Sequence, residues 1–159
     1  MTAKDINCTA KDINMTAKDT DELMHLLQDT KTTAQLQTYT NTLAEQTILQ
    51  TFPEYLNLKM IERNISPAEL IAAAQIQRNY GYQILNGTRK PSRDKILALC
   101  LALGLDLPET QRALTLAQFG QLYPKNQRDS IFIFSINKKL SVLQVNELLD
   151  EMKEELLFN

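Results

Sequence analysis

SPAELIAAAQIQRNYGYQILNGTRKPS, residues 66–92, holds two short helices and a basic loop. Ser66 is a good N-cap, Pro67 suits the first helical position, and Glu69 three residues after the cap completes a capping box. Leu70, Ala73 and Ala74 then fall at the i, i+3, i+4 spacing of one helical face. A second helix begins near Gln77 and ends before Asn86-Gly87, where glycine takes the left-handed conformation that stops a helix. Only Gln75 and Ile76 are left to turn the chain between them. Helices so short and so close must cross steeply.

That geometry is a helix-turn-helix. The span resembles the lambda-repressor or Xre type, whose pattern is a capped first helix with Glu-Leu, a small-residue turn, a polar-faced second helix and then Asn-Gly-x-Arg-x-Pro-Ser. Here Glu69-Leu70, Ile76, Ile84, Asn86-Gly87, Arg89 and Pro91-Ser92 stand in those places. The run from Leu97 to Leu107 resembles the family's next helix and its exit, so the resemblance covers Phe52 to Leu107. Tyr123 through Leu149 resembles the C-terminal helical extension of a bacterial subgroup of these proteins.

The chain departs from that pattern in a few places. Ile71 stands where the family has a small residue, and Gly81 where it has a large aliphatic one. The two positions face each other in the family, so the exchange keeps the contact volume roughly constant. Gly81 then relieves the packing of Ile71, at about 1 kcal/mol of helix propensity. The alternative is that Gly81 admits a DNA backbone. Gln75 occupies the turn position where the family favours glycine, and Pro67 replaces a polar residue that often contacts phosphate.

The 159 residues are long enough for one core with extensions, and Gly (4) and Pro (5) are scarce, which favours an all-α protein. Cys8 and Cys100 show no ligand-like spacing, so neither a disulfide framework nor a zinc site is expected, and a reducing cytoplasm fits, which the resemblance makes a bacterial one. No apolar run reaches the roughly 18 residues that span a bilayer, and the N-terminus is not a secretion signal. The net charge of −2 runs against the basic footprint of DNA binders. It is segregated, however. Residues 77–95 carry Arg78, Arg89, Lys90, Arg93 and Lys95 against Asp94, five cations to one acid, whereas the last twenty residues are acidic.

Residues 1–20 repeat TAKD three times with a period of seven and read as a disordered leader, with a short coiled coil or a true start at Met15 as alternatives. Residues 21–50 form an N-terminal helical extension, with Leu23, Met24, Leu26 and Leu27 in one helix and Leu36, Tyr39, Leu43 and Ile48 in another over 33–48. The only histidine, His25, reads as a surface or packing residue. The helix-turn-helix domain spans 51–122. Thr51 and Glu54 open its first helix, with Phe52, Tyr55, Leu56, Met60 and Ile61 as the buried stripe. Ser92 caps an all-round apolar helix, the hub of the core, in which Cys100 is a small buried hydrophobe. The next helix starts at Asp106, turns Leu114, Ala117 and Phe119 inward and stops at Gly120. Residues 123–159 form a C-terminal helical extension. Period cannot separate helix from strand in Ile131–Ile136, and the helical context favours helix. Ser141 and Gln144 box the last helix, with Leu143, Val145, Leu148, Leu149, Met152 and Leu156 on its apolar side.

No phosphate loop, paired-histidine motif or nucleophile with a base is present, so the chain is not read as an enzyme and no cofactor or metal is expected. In the resembled family the second helix enters the major groove of double-stranded DNA. The matching positions are Gln77, Arg78, Asn79, Tyr82 and Gln83, with Tyr80 partly packed. Arg suits guanine and Gln or Asn suits adenine. Asn86, Thr88, Arg89 and Lys90 would hold phosphates. The resemblance implies a transcriptional regulator, a repressor, acting as a homodimer on the nucleoid. The alternative is an adaptor or antitoxin-like protein that meets a partner protein through its N- or C-terminal helices.

Overall fold

A computed structural model describes residues 20–46 and 50–159. The TAKD repeat with its alternatives, Cys8, Met15 and Ile48 lie outside the described residues. Those that are described form nine helices and no strand. The chain divides into two compact units, Met1–Gln50 and Thr51–Asn159.

The first unit contains α1 (Thr20–Asp29) and α2 (Thr33–Gln46). Between them, Thr32 Oγ1 accepts from the Gln35 amide at 3.2 Å, and the Thr32 amide donates in return to Gln35 Oε1. That reciprocal pair satisfies amides the helix start leaves open. Met24, Leu27 and Leu36 are exposed, and so is His25.

The second unit contains α3 (Phe52–Arg63), α4 (Pro67–Ala73), α5 (Arg78–Leu85), α6 (Arg93–Leu103), α7 (Leu107–Leu116), α8 (Gln127–Asn137) and α9 (Val142–Glu151). Capping boxes open four of them, at Thr51/Glu54, Ser66/Glu69, Asp106/Glu109 and Ser141/Gln144. Ser92 and Asn126 cap α6 and α8. The Ile131–Ile136 run is helical, inside α8. Helix α6 is the hub. Seven of its eleven residues, Cys100 among them, are buried, and it packs on α3, α4, α7 and α9. A helix apolar on every side needs cover on every side.

Several expected core positions face water instead. Ile61 is 78% exposed on α3, and Ala73 is exposed while Ala74 behind it is buried. Helix α7 stops at Leu116, short of Gly120, because Gln118 takes the left-handed conformation (φ 64°) and the Phe119 amide bonds back to the Leu114 carbonyl at 2.9 Å. That closure turns Phe119 outward. Leu143 and Met152 of the last helical segment are also exposed, and Leu156 lies beyond the end of α9.

Polar side chains tie the helices together. Glu109, already in its capping box, also accepts from Lys59 Nζ at 3.1 Å and Arg63 Nη2 at 2.9 Å, fastening α7 to α3. Gln111 holds Leu122 by both its amide and its carbonyl, so the connector is bound back on α7. Two crossed ion pairs join the start of α6 to the start of α8. Arg93 meets Asp129 and Arg128 meets Asp94, each at 2.8 Å. Arg93 donates further to the Gly120 and Gln121 carbonyls, and Asp129 accepts from the Tyr123 amide. Arg93 and Asp94 therefore belong to this clasp and leave the open basic cluster in which the sequence had counted them.

Candidate nucleic-acid interface

The turn between α4 and α5 is built on Gln75, which adopts φ 57°. Its amide bonds to the Ala72 carbonyl, the Ile76 amide bonds to the Ile71 carbonyl at 3.2 Å, and Ile76 is buried as the turn closes. Glutamine thus takes up the left-handed conformation that glycine adopts freely. Gln75 is exposed and makes only a local bond to Ala72. Gln75→Gly should raise the unfolding free energy by about 0.5–1 kcal/mol, after the added freedom of the unfolded chain is subtracted from the relieved strain. Urea denaturation of the two proteins measures it.

Gln77 caps α5, its Oε1 accepting from the Tyr80 amide at 3.2 Å. Gly81, Ile84 and Leu85 form the buried face of this helix. A β-carbon on Gly81 would lie 2.6 Å from Ile71 Cγ1, so Gly81 faces the interior and the packing reading of the pair holds. The opposite face presents Arg78, Asn79 and Tyr82 to solvent, with Gln83 half-buried beside them. Arg78 lies 5.9 Å over the Tyr82 ring, which holds both on the outer face as an i, i+4 pair. Tyr80 leans on the core, and Arg89 from the following loop sits 5.4 Å over its ring. This stack, not foreseen in the sequence, anchors the loop to α5.

The loop is shaped by its own polar groups. Asn86 Oδ1 accepts from the Thr88 amide at 2.9 Å, Gly87 turns at φ 80°, and the Arg89 amide returns to the Gln83 carbonyl at 3.1 Å. Asn57 Nδ2 on α3 donates to the Leu85 carbonyl and fixes the end of α5. Asn86, Thr88, Arg89 and Lys90 are all exposed. Between Leu70 and Arg93 the chain has no acidic residue. Among the described residues, Arg78, Arg89 and Lys90 have no ion-pair partner, and their charge is open to an external anion. Of the nine positions expected to meet DNA, the structure gathers eight at the exposed surface of α5, its cap and one loop, with Gln83 at their edge. Gln77 and Asn86 each commit an oxygen to shaping the backbone and keep their amide N–H donors free.

Among the described residues no helix is long and apolar enough to cross a membrane. Residues 56–109 match the family of Cro/C1-type HTH DNA-binding domains, which takes in α4, the turn, α5, the basic loop and α6. No curated protein and no solved structure matches the chain. The match, the geometry of α4 and α5 and the loop motif agree: the chain carries a DNA-binding domain of the lambda-repressor or Xre-type helix-turn-helix family.

Proposed function

We propose that the chain is a transcriptional regulator, a repressor, that inserts α5 into the major groove of double-stranded DNA and does so as a dimer in the bacterial cytoplasm. The observation that carries this reading is the acid-free exposed surface of α5 and its loop, whose three unpaired cations flank Asn79 and Tyr82. Arg78, Asn79, Tyr82 and Gln83 meet base edges, and the free amide of Gln77 joins them. Arg89, Lys90, Thr88 and the Asn86 amide hold phosphates and set the register. Pro67 and Ala68 leave the start of α4 without a polar side chain for phosphate, so one copy binds weakly and two half-sites are needed. The role is one of binding, not catalysis.

Selection of bound sites from random duplex DNA tests the reading. Two half-sites about one helical turn apart should be enriched. No enrichment at low salt would end the proposal and favour a protein-partner role. On the selected site, Arg78→Ala should weaken each half-site contact by about 2 kcal/mol, roughly 30-fold, and relax preference at one base position. Arg89→Ala should weaken all sequences evenly and flatten the salt dependence by about one counterion per copy. Fluorescence anisotropy across a salt series separates the two.

A further inference from the structure

The outer surface of α5 and its cap is rich in hydrogen-bond donors. Arg78 offers only N–H groups, and Gln77 has its side-chain oxygen committed to the Tyr80 amide, which leaves its NH2. Asn79, and Gln83 at the edge, add one amide each. Carboxylates are missing: none occurs between Leu70 and Arg93, and Glu69 before them is engaged in the Ser66 capping box. Donors match the bases whose major-groove edge accepts, guanine at O6 and N7 and thymine at O4. The cytosine amino group, which asks for a carboxylate, finds none here.

Tyr82, 37% exposed, is the one apolar side chain on this surface, and Arg78 lies 5.9 Å over its ring. Among the described residues Arg78 has no ion-pair partner, so the ring is what holds its guanidinium. The two side chains are four residues apart, about 6 Å along the helix axis. That is less than two steps of stacked bases at about 3.4 Å each. Whichever guanine Arg78 reaches, the Tyr82 ring lies over a base pair close beside it. What an apolar ring can recognise in the major groove is the thymine 5-methyl group.

We infer that Arg78 and Tyr82 read one unit of sequence: a guanine through the guanidinium, and through the ring the 5-methyl group of a thymine within about two base pairs of it. Tyr82 is then both the reader of the methyl group and a positioning residue for Arg78. The inference rests on the proposed insertion of α5 into the major groove and adds the base chemistry that the helix selects.

Deoxyuridine differs from thymidine only by that methyl group. In a duplex carrying the selected site, each thymine of a half-site is replaced in turn and affinity is read by fluorescence anisotropy. One replacement, close to the guanine that Arg78→Ala ceases to prefer, should weaken binding about fourfold, the effect of burying one methyl group. Tyr82→Phe keeps the ring and should keep that factor, whereas Tyr82→Ala should bind thymine and uracil alike. Tyr82→Ala should also lower the preference for the guanine about threefold through loss of the stack, and should not lower it further in an Arg78→Ala chain. Its salt dependence should match that of the wild type, because the loop holds the phosphates, and a damaged fold would change both. Equal affinity for thymine and uracil at every position, a half-site with no thymine near the guanine, or a methyl preference that survives Tyr82→Ala would each overturn the inference while leaving DNA binding intact. A chain that binds no duplex at low salt fails the DNA reading itself, and the inference falls with it.

Discussion

Gly81→Ala should destabilise the folded chain by about 2 kcal/mol, although alanine is the better helix former by about 1 kcal/mol. The added methyl would lie 2.6, 2.7 and 2.8 Å from Ile71 Cγ1, Cγ2 and Cδ1, well inside van der Waals contact. Two of those atoms are rooted directly on the branched β-carbon, so they cannot swing clear without changing a stiff rotamer. Ile71 is only 2% exposed and has nowhere to go. Ile71→Ala alone leaves a cavity and should cost about 3 kcal/mol. In that background the sign of the second change reverses. Gly81→Ala then gains its helix propensity and fills part of the void, and should stabilise by about 1 kcal/mol. Urea denaturation at the four corners of the cycle measures a coupling of about 3 kcal/mol, and simple additivity would show that the two positions do not share one contact.

Asp129→Ala should cost about 3 kcal/mol, the low end for removing one partner of a buried ion pair, because Arg93 keeps a quarter of its side chain in water. The carboxylate is 10% exposed and accepts two bonds from Arg93 and one from the Tyr123 amide. Its removal strands a guanidinium beside the start of α6 and loosens the Tyr123 connector together. The same group makes stability depend on pH. Burial by itself would push the Asp129 carboxyl up, but the bonds from Arg93 and Tyr123 outweigh it and hold the group below its ordinary range. Glu109 behaves alike. Burial opposes ionisation there too, and the Asp106 amide with Lys59 and Arg63 brings it below the usual value. A carboxylate that is harder to protonate in the folded chain than in the unfolded one contributes stability above the unfolded value. That contribution disappears as pH falls through the lower folded value. The melting temperature should therefore be nearly level down to about pH 5 and drop below about pH 4. Asp129→Ala should make the acid slope shallower as well as lowering the plateau.

The parts of this fold that were legible in the sequence are those fixed within a few residues. Each capping box is a contact between positions three apart; those at Thr51, Ser66 and Ser141 appear where the residues announce them, and at Asp106 the helix start was read without its box. The Ile71–Gly81 contact spans ten residues and was legible only because the resemblance supplied which positions face each other. Errors gathered at helix ends. Ile61, Ala73 and Phe119 lie in or just past a last turn, where the chain is already leaving the helical path and a face assigned by period no longer points inward. Gln118 shows why glycine misled: the helix ended two residues early on a glutamine, because the return bond to Leu114 rewarded the left-handed turn there. The clasp could not be read at all. Arg93 and Asp129 are 36 positions apart, and only the placing of the start of α8 beside the start of α6, through the packing of α8 on α7 and α9, decides that their charges cancel. At the candidate interface the exposure of Arg78, Asn79 and Tyr82 was legible, whereas the Arg89–Tyr80 stack needed the loop's path.

Cys100 gives the protein a chemical clock. The thiol is fully buried in the hub helix, and burial pushes it up to about 12, so reagents find neither access nor thiolate while the core is closed. Modification of this sulfur must wait for an opening that uncovers the centre of the hub. In a Cys8→Ser chain at low reagent concentration, where closing outpaces alkylation, the rate at which the reagent consumes Cys100 follows the fraction of chains that are open. Compared with the rate on the unfolded chain, it converts directly into the free energy of the opening.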